Sequence, residues 1–127
     1  MIDARELRIG NYVMWTGFEN DIIKIDSITE KGTWISTENG THGVEWKDLQ
    51  PIPLTEEILM KCGFEHNYKS DYTITLSHTT DDRFNFKIYK EGGFSLWYLG
   101  VPIPVGNLHQ LQNLFYALSG EELEVQI

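Results

Sequence analysis

The sequence predicts an α+β fold: an N-terminal SH3-like small β-barrel, then an antiparallel sheet with one covering helix. Three observations carry this. Four short strand patterns recur at roughly ten-residue spacing over the first 50 residues, with turn residues between them. Pro51 and Pro53 then end the run, because proline cannot serve in a central strand. The rest holds alternating strand patterns and one segment, Leu108 to Ser119, with helical periodicity.

The elements follow in order. "LRIGNYVMW" (7–15) changes phase at Gly10-Asn11, which predicts a bend or bulge in a curved strand. "DIIKIDSIT" (21–29) alternates Ile23 and Ile25, then slips to Ile28. "TWIST" (33–37) follows the turn "EKG", and "HGVEW" (42–46) follows the hairpin signal Asn39-Gly40. Thr55 is a fitting N-cap, with Glu56 and Glu57 in the first turn where the helix dipole favours anions. Ile58, Leu59 and Cys62 point inward, and Gly63 stops this helix, which lids the barrel or joins it to the next layer. "FEHNY" (64–68), "YTITLS" (72–77) and "RFNFKIYK" (83–90) are strands of a half-buried sheet. In the last, Phe84, Phe86 and Ile88 share one face. "FSLWYL" (94–99) is apolar on both faces, so it is a central strand or is covered on both sides. "GVPIPVGN" breaks the pattern as a loop. The helix 108–119 takes Asn107 as N-cap and Gly120 as stop, and "ELEVQI" (122–127) alternates as a last strand. The division is thus 1–52 for the barrel and 53–127 for the rest, with one shared core or two small ones.

The bulk numbers narrow the function classes. With 127 residues, 41% of them hydrophobic and 13% aromatic, the chain can build a packed core. Its net charge is −9, spread evenly: residues 1–52 carry nine acids and five bases, residues 53–127 ten and five. Such a surface repels phosphate backbones, so no direct nucleic-acid binding is expected. The single Cys62 forms no internal disulfide, and the charged start "MIDARELRIG" is unlike a signal peptide. With no long apolar run, no membrane span is expected, and the localisation read from these features is cytoplasmic.

The stretches "LQPIPLTEEILMKCGFE" (49–65) and "LHQLQNLFYALSGEELEV" (108–125) resemble a family of small uncharacterised proteins from prophages and mobile elements of gut Bacteroidetes. "ELRIGNYV" (6–13) is similar as well. The resemblance implies a bacterial or phage cytoplasmic setting and brings no catalytic residues with it.

No motif marks an enzyme. The histidines 42, 66, 78 and 109 form no i, i+3 or i, i+4 pair, so no helical metal site is expected, and no cofactor is implied. His42 with Glu45 and Asp48, the pair Asp81-Asp82, and "GFENDI" read as turn polars. Cys62 reads as a buried structural thiol rather than a nucleophile. A hydrolase would need carboxylates gathered by the fold around His78 or His42.

Two features point to a partner. Tyr12, Trp34 and Trp46, in the barrel segment, either fill its core or line a peptide groove. Only one of Trp34 and Ile35 can face inward. The second feature is a gap in charge: the 29 residues from Gly92 to Gly120 hold no Asp, Glu, Lys or Arg. Leu108, Leu111, Leu114, Phe115 and Leu118 form the apolar stripe of the helix. His109, Gln112, Asn113 and Tyr116 make a polar face that lacks the usual Glu and Lys, as interface cores do. Either the N-terminal half of the chain covers that face or a partner does. The resulting expectation is a small protein-interaction module, engaging a protein partner or a second copy. The alternative is a nucleic-acid-associated factor, or an acidic mimic that binds a DNA-binding protein.

Overall fold

The computed structural model describes residues 2–16, 21–37, 40–69, 74–78, 87–90, 93–98 and 101–126. The class is α+β, with antiparallel sheets and few helices. The chain divides into two compact units, residues 1–53 with 107–114 and residues 54–106 with 115–127.

In the first unit, strands β1 (Tyr12–Trp15), β2 (Asp21–Lys24) and β5 (Leu49–Gln50) form a sheet of order β2-β1-β5. β3 (Gly32–Thr37) and β4 (Gly40–Glu45) form a separate ribbon. Both contribute to one core, where Val13 and Leu49 meet Ile35, Val44 and Trp46. The phase slip in the first segment is a turn at Gly10, whose φ of 100° suits glycine, immediately before β1.

Among the described residues the pairings do not close into a barrel. The reason lies in residues 25–31, where a strand was expected to run on through Thr29. Beyond the Ile25–Asn11 backbone bond the ladder gives way to a local turn, in which the Thr29 amide donates to the Gly32 carbonyl at 2.9 Å and hydroxyls add further bonds. Ser27 Oγ accepts from the Trp34 amide at 3.1 Å, and Thr29 Oγ1 exchanges bonds with the Gly32 amide and carbonyl. Serine and threonine offer the backbone such local alternatives to a ladder.

The second unit holds helix α1 (Glu56–Lys61) and five strands, β6 (Phe64–Lys69), β7 (Ile74–His78), β8 (Lys87–Lys90), β9 (Phe94–Tyr98) and β10 (Val101–Val105). The strands form an antiparallel meander of order β10-β9-β8-β7-β6. Thr55 caps α1 as expected, accepting from the Ile58 amide at 3.2 Å, and the helix leads through Gly63 into β6. β9 is indeed flanked on both sides, and Ile88 and Leu96 pair across it at full burial. Its other face holds Trp97, 37% exposed, with Tyr89 edge-on at 5.3 Å.

Two sequence expectations fail here. "VPIPV" is a strand, not a loop. It lies at the sheet edge, and Pro102 and Pro104 occupy alternate positions opposite Trp97 and Ser95. Residues two apart in a strand direct their nitrogens to the same side, so both prolines can face outward, where no hydrogen bond is lost. Conversely, residues 122–126 are not a strand. Their backbone bond goes from the Gln126 amide to the Lys61 carbonyl, 2.8 Å, which satisfies an acceptor at the end of α1 rather than building a ladder.

Helix α2 (Leu108–Ser119) runs as read, with the Asn107 side chain capping the Gln110 amide at 3.0 Å. Its stop, Gly120, has a φ of 76°.

Candidate functional site

The charge-free polar face of α2 is covered, over its first two turns, by residues 6–12 of the same chain. Gln112 is 2% exposed. Its Oε1 accepts from the Tyr12 amide at 2.9 Å, and its Nε2 donates to the Gly10 carbonyl at 3.1 Å. Asn113 Nδ2 donates to the Glu6 carbonyl at 2.7 Å. Its Oδ1 accepts from both Arg8 Nε and Asn11 Nδ2, each at 2.9 Å. Asn11 is itself fully buried, and its Oδ1 takes the Arg8 amide at 2.7 Å. His109 is 0% exposed, with Nε2 3.3 Å from the Glu6 carboxylate. Burial pushes this imidazole below its ordinary value of 6.5, and Glu6 pulls the other way.

This explains the missing charges physically. A side-chain amide is neutral and carries both a donor and acceptors, so it can pair with peptide groups in a dry site. At Gln112, whose partners are peptide groups, a Lys or Glu would have to be desolvated without a matching charge. Of the four residues singled out on this face, His109, Gln112 and Asn113 are thus engaged within the chain, whereas Tyr116 is 43% exposed. Glu6, Arg8 and Asn11, the partners of the face, carried no signal in the sequence. Nothing local in "ELRIGN" says that it meets a helix a hundred residues away.

The three aromatics singled out in the first unit separate. Trp46 is core: it opens a 3₁₀ turn (Trp46–Asp48), is 9% exposed, and its indole donates to the Thr29 carbonyl at 3.1 Å. Tyr12 is half-buried, with the Lys24 ammonium 5.8 Å from its ring centre. Trp34 is different. Ile35 takes the inward position, and Trp34 is left 54% exposed on the outer face of the β3–β4 ribbon.

Around Trp34 lies an open cleft of about 570 Å³, lined by Thr29, Glu30, Lys31, Gly32, Thr33, Gly43, Val44 and Glu45. Two glycines flatten it. Gly43 pairs directly with Trp34, and a Cβ added at Gly43 would lie 3.5 Å from the indole, in ordinary contact. At Gly32 a Cβ would collide with the Val44 carbonyl oxygen, so only glycine allows this approach of the two strands. One face of the indole therefore rests on Gly43 while much of the ring meets solvent. Glu45, on the rim, pairs with Lys47 at 3.1 Å, which raises the Lys47 ammonium above its ordinary range.

His42 is exposed on β4 opposite Ile35. The His66 and His78 side chains, residues 17–20 of "GFENDI", Asn39, Asp81, Asp82, Phe84 and Phe86 lie outside the described residues. Among the described residues no three of His, Cys, Asp and Glu gather as a metal site. Cys62 is 1% exposed, and burial pushes its thiol up to about 12. A smaller cleft of about 300 Å³ beside it is lined by Glu121, Glu122, Glu124 and Lys61. No helix among the described residues is long and apolar enough to cross a membrane.

Against this geometry, comparison with family profiles, curated proteins and solved structures returns no match.

Proposed function

We propose that this chain is a small protein-interaction module whose docking surface is the Trp34 face of the β3–β4 ribbon. The observation that supports it is a tryptophan 54% exposed that packs against Gly43, beside an open cleft. A large aromatic that packs against a glycine at the side of a cleft is the kind of anchor that dominates binding energy at interfaces. The occupant is an extended segment of another protein that carries Arg or Lys next to an apolar residue. The net charge of −9 favours it, while at the cleft itself Glu30 lies beside Lys31 and Glu45 is paired with Lys47. A net negative charge steers a cationic partner, and an Arg can stack on the free indole face.

In this reading the first unit is an SH3-like barrel left open. Five strands in sequence, a 3₁₀ turn between β4 and β5, and the β1–β5 pairing are compatible with that topology. The resemblance to prophage and mobile-element proteins makes a bacterial or phage cytoplasm the natural setting.

The test is a titration of the full chain with two ten-residue peptides of identical apolar sequence, one with Arg at alternate positions and the other with Glu. Tryptophan fluorescence reports binding. The reading expects saturable binding of the Arg peptide, weakening as salt rises, and its loss in Trp34→Ala. Equal binding of the Glu peptide, or no effect of Trp34→Ala, would overturn it. A dimer in light scattering that Trp34→Ala dissociates would replace the foreign partner with a second copy of the chain.

A further inference from the structure

We propose that the Glu6–His109 contact is an acid-sensitive latch: uptake of a proton by the His109 imidazole releases the segment 2–12 from helix α2. The geometry carries the argument. His109 is completely buried, and its Nε2 lies 3.3 Å from Glu6 Oε2. The neutral ring therefore carries its hydrogen on Nε2 and donates to the carboxylate. Nδ1, also buried, has no hydrogen-bond partner among the described residues. A second proton has to go there. It creates an N–H that faces no acceptor, on a ring from which water is excluded.

The charges that bear on His109 come from the N-terminal segment. Helix α2 has none of its own. The 3₁₀ turn Ala4–Glu6 brings Glu6, with Asp3 and Arg5 paired to each other at 2.7 Å on the exposed side. Arg8 follows, fixed to Asn113 and to the Gln112 carbonyl. Glu6 would welcome an imidazolium, but its side chain is half exposed and its attraction is screened. Burial outweighs it, so the imidazole is held below its ordinary value.

The direction follows. The unlatched chain, with an ordinary histidine, binds the proton more tightly than the latched one. The latch is fully held above pH 6.5 and weakens as the pH falls from there through the depressed value. Its opening constant rises by up to about tenfold per pH unit within that window. The bonds lost next are those adjoining Glu6: Asn113 to the Glu6 carbonyl, and Gln112 to the backbone at residues 10 and 12.

NMR on the full chain between pH 7.5 and 5.0 tests this. The expected result is a His109 titration midpoint below 6.5. Protection of the Tyr12 amide, corrected for intrinsic exchange, should fall by up to about tenfold per pH unit while the β8–β9 ladder keeps its protection. In His109→Gln that fall should vanish. A midpoint at or above 6.5 overturns the proposal, and this readout needs no variant to fold. So does a parallel loss in β8–β9, which would mean global unfolding, or a pH-dependent fall that persists in His109→Gln.

Discussion

The side-chain amide of Gln112 pairs with the backbone at Tyr12 as a neighbouring strand would. It accepts from the Tyr12 amide at 2.9 Å and donates to the Gly10 carbonyl at 3.1 Å. One helical residue thus satisfies two peptide groups at the start of β1. Gln112→Ala orphans both. We expect a loss of about 2–4 kcal/mol, read as a lower urea midpoint with an unchanged slope. Gln112→Glu should fare no better, because a carboxylate oxygen then faces the Gly10 carbonyl.

Asn11 and Asn113 should prove coupled. Their side chains bond to each other at 2.9 Å and share Arg8 as a partner. In a double-mutant cycle, Asn11→Ala and Asn113→Ala together should cost less than the sum of the single changes, by about 1 kcal/mol. Strict additivity would mean that the network is not formed in solution.

Gly32→Ala should be among the most damaging single changes in the ribbon. The new methyl meets the Val44 carbonyl, which is backbone and cannot rotate away. A cost of about 3 kcal/mol or more is expected in thermal melts. Gly93→Ala is the control: its added Cβ meets nothing within 4 Å, and it should be close to neutral.

The prolines of β10 should keep the sheet from growing. An edge strand exposes unpaired amides to other chains, and Pro102 and Pro104 have none to offer. Replacing both with Val or Thr should leave the fold intact and raise the apparent mass in light scattering as concentration increases. A strictly monomeric double variant would refute this.

Cys62 should be inert in the native chain. A buried thiol pushed up to about 12 holds almost no thiolate at neutral pH. Iodoacetamide should label it only slowly at pH 7.5, and rapidly once denaturant exposes it. Fast native labelling would show that the helix end opens.

The parts legible in the sequence are those set by local chemistry. The Thr55 and Asn107 caps, the stop at Gly120, the hairpin strands either side of Asn39-Gly40 and the flanked position of β9 follow from side-chain hydrogen bonds, backbone freedom and periodicity. Each depends on residues a few places apart. What required the tertiary structure depends on residues far apart. Proline alternation at 102 and 104 reads as a loop until an edge position leaves their missing donors outside. The alternation of 122–126 reads as a strand until its backbone meets a helix end instead of a ladder. Trp34 and Ile35 were equivalent candidates for the core, and only the ribbon's placement turned Ile35 inward. The neutral polar face of α2 could be recognised from its missing charges, because desolvation selects amides wherever the cover comes from. That the cover over His109, Gln112 and Asn113 is residues 6–12 of the same chain was decided by folding alone. A contact across a hundred residues leaves no periodic trace in the sequence.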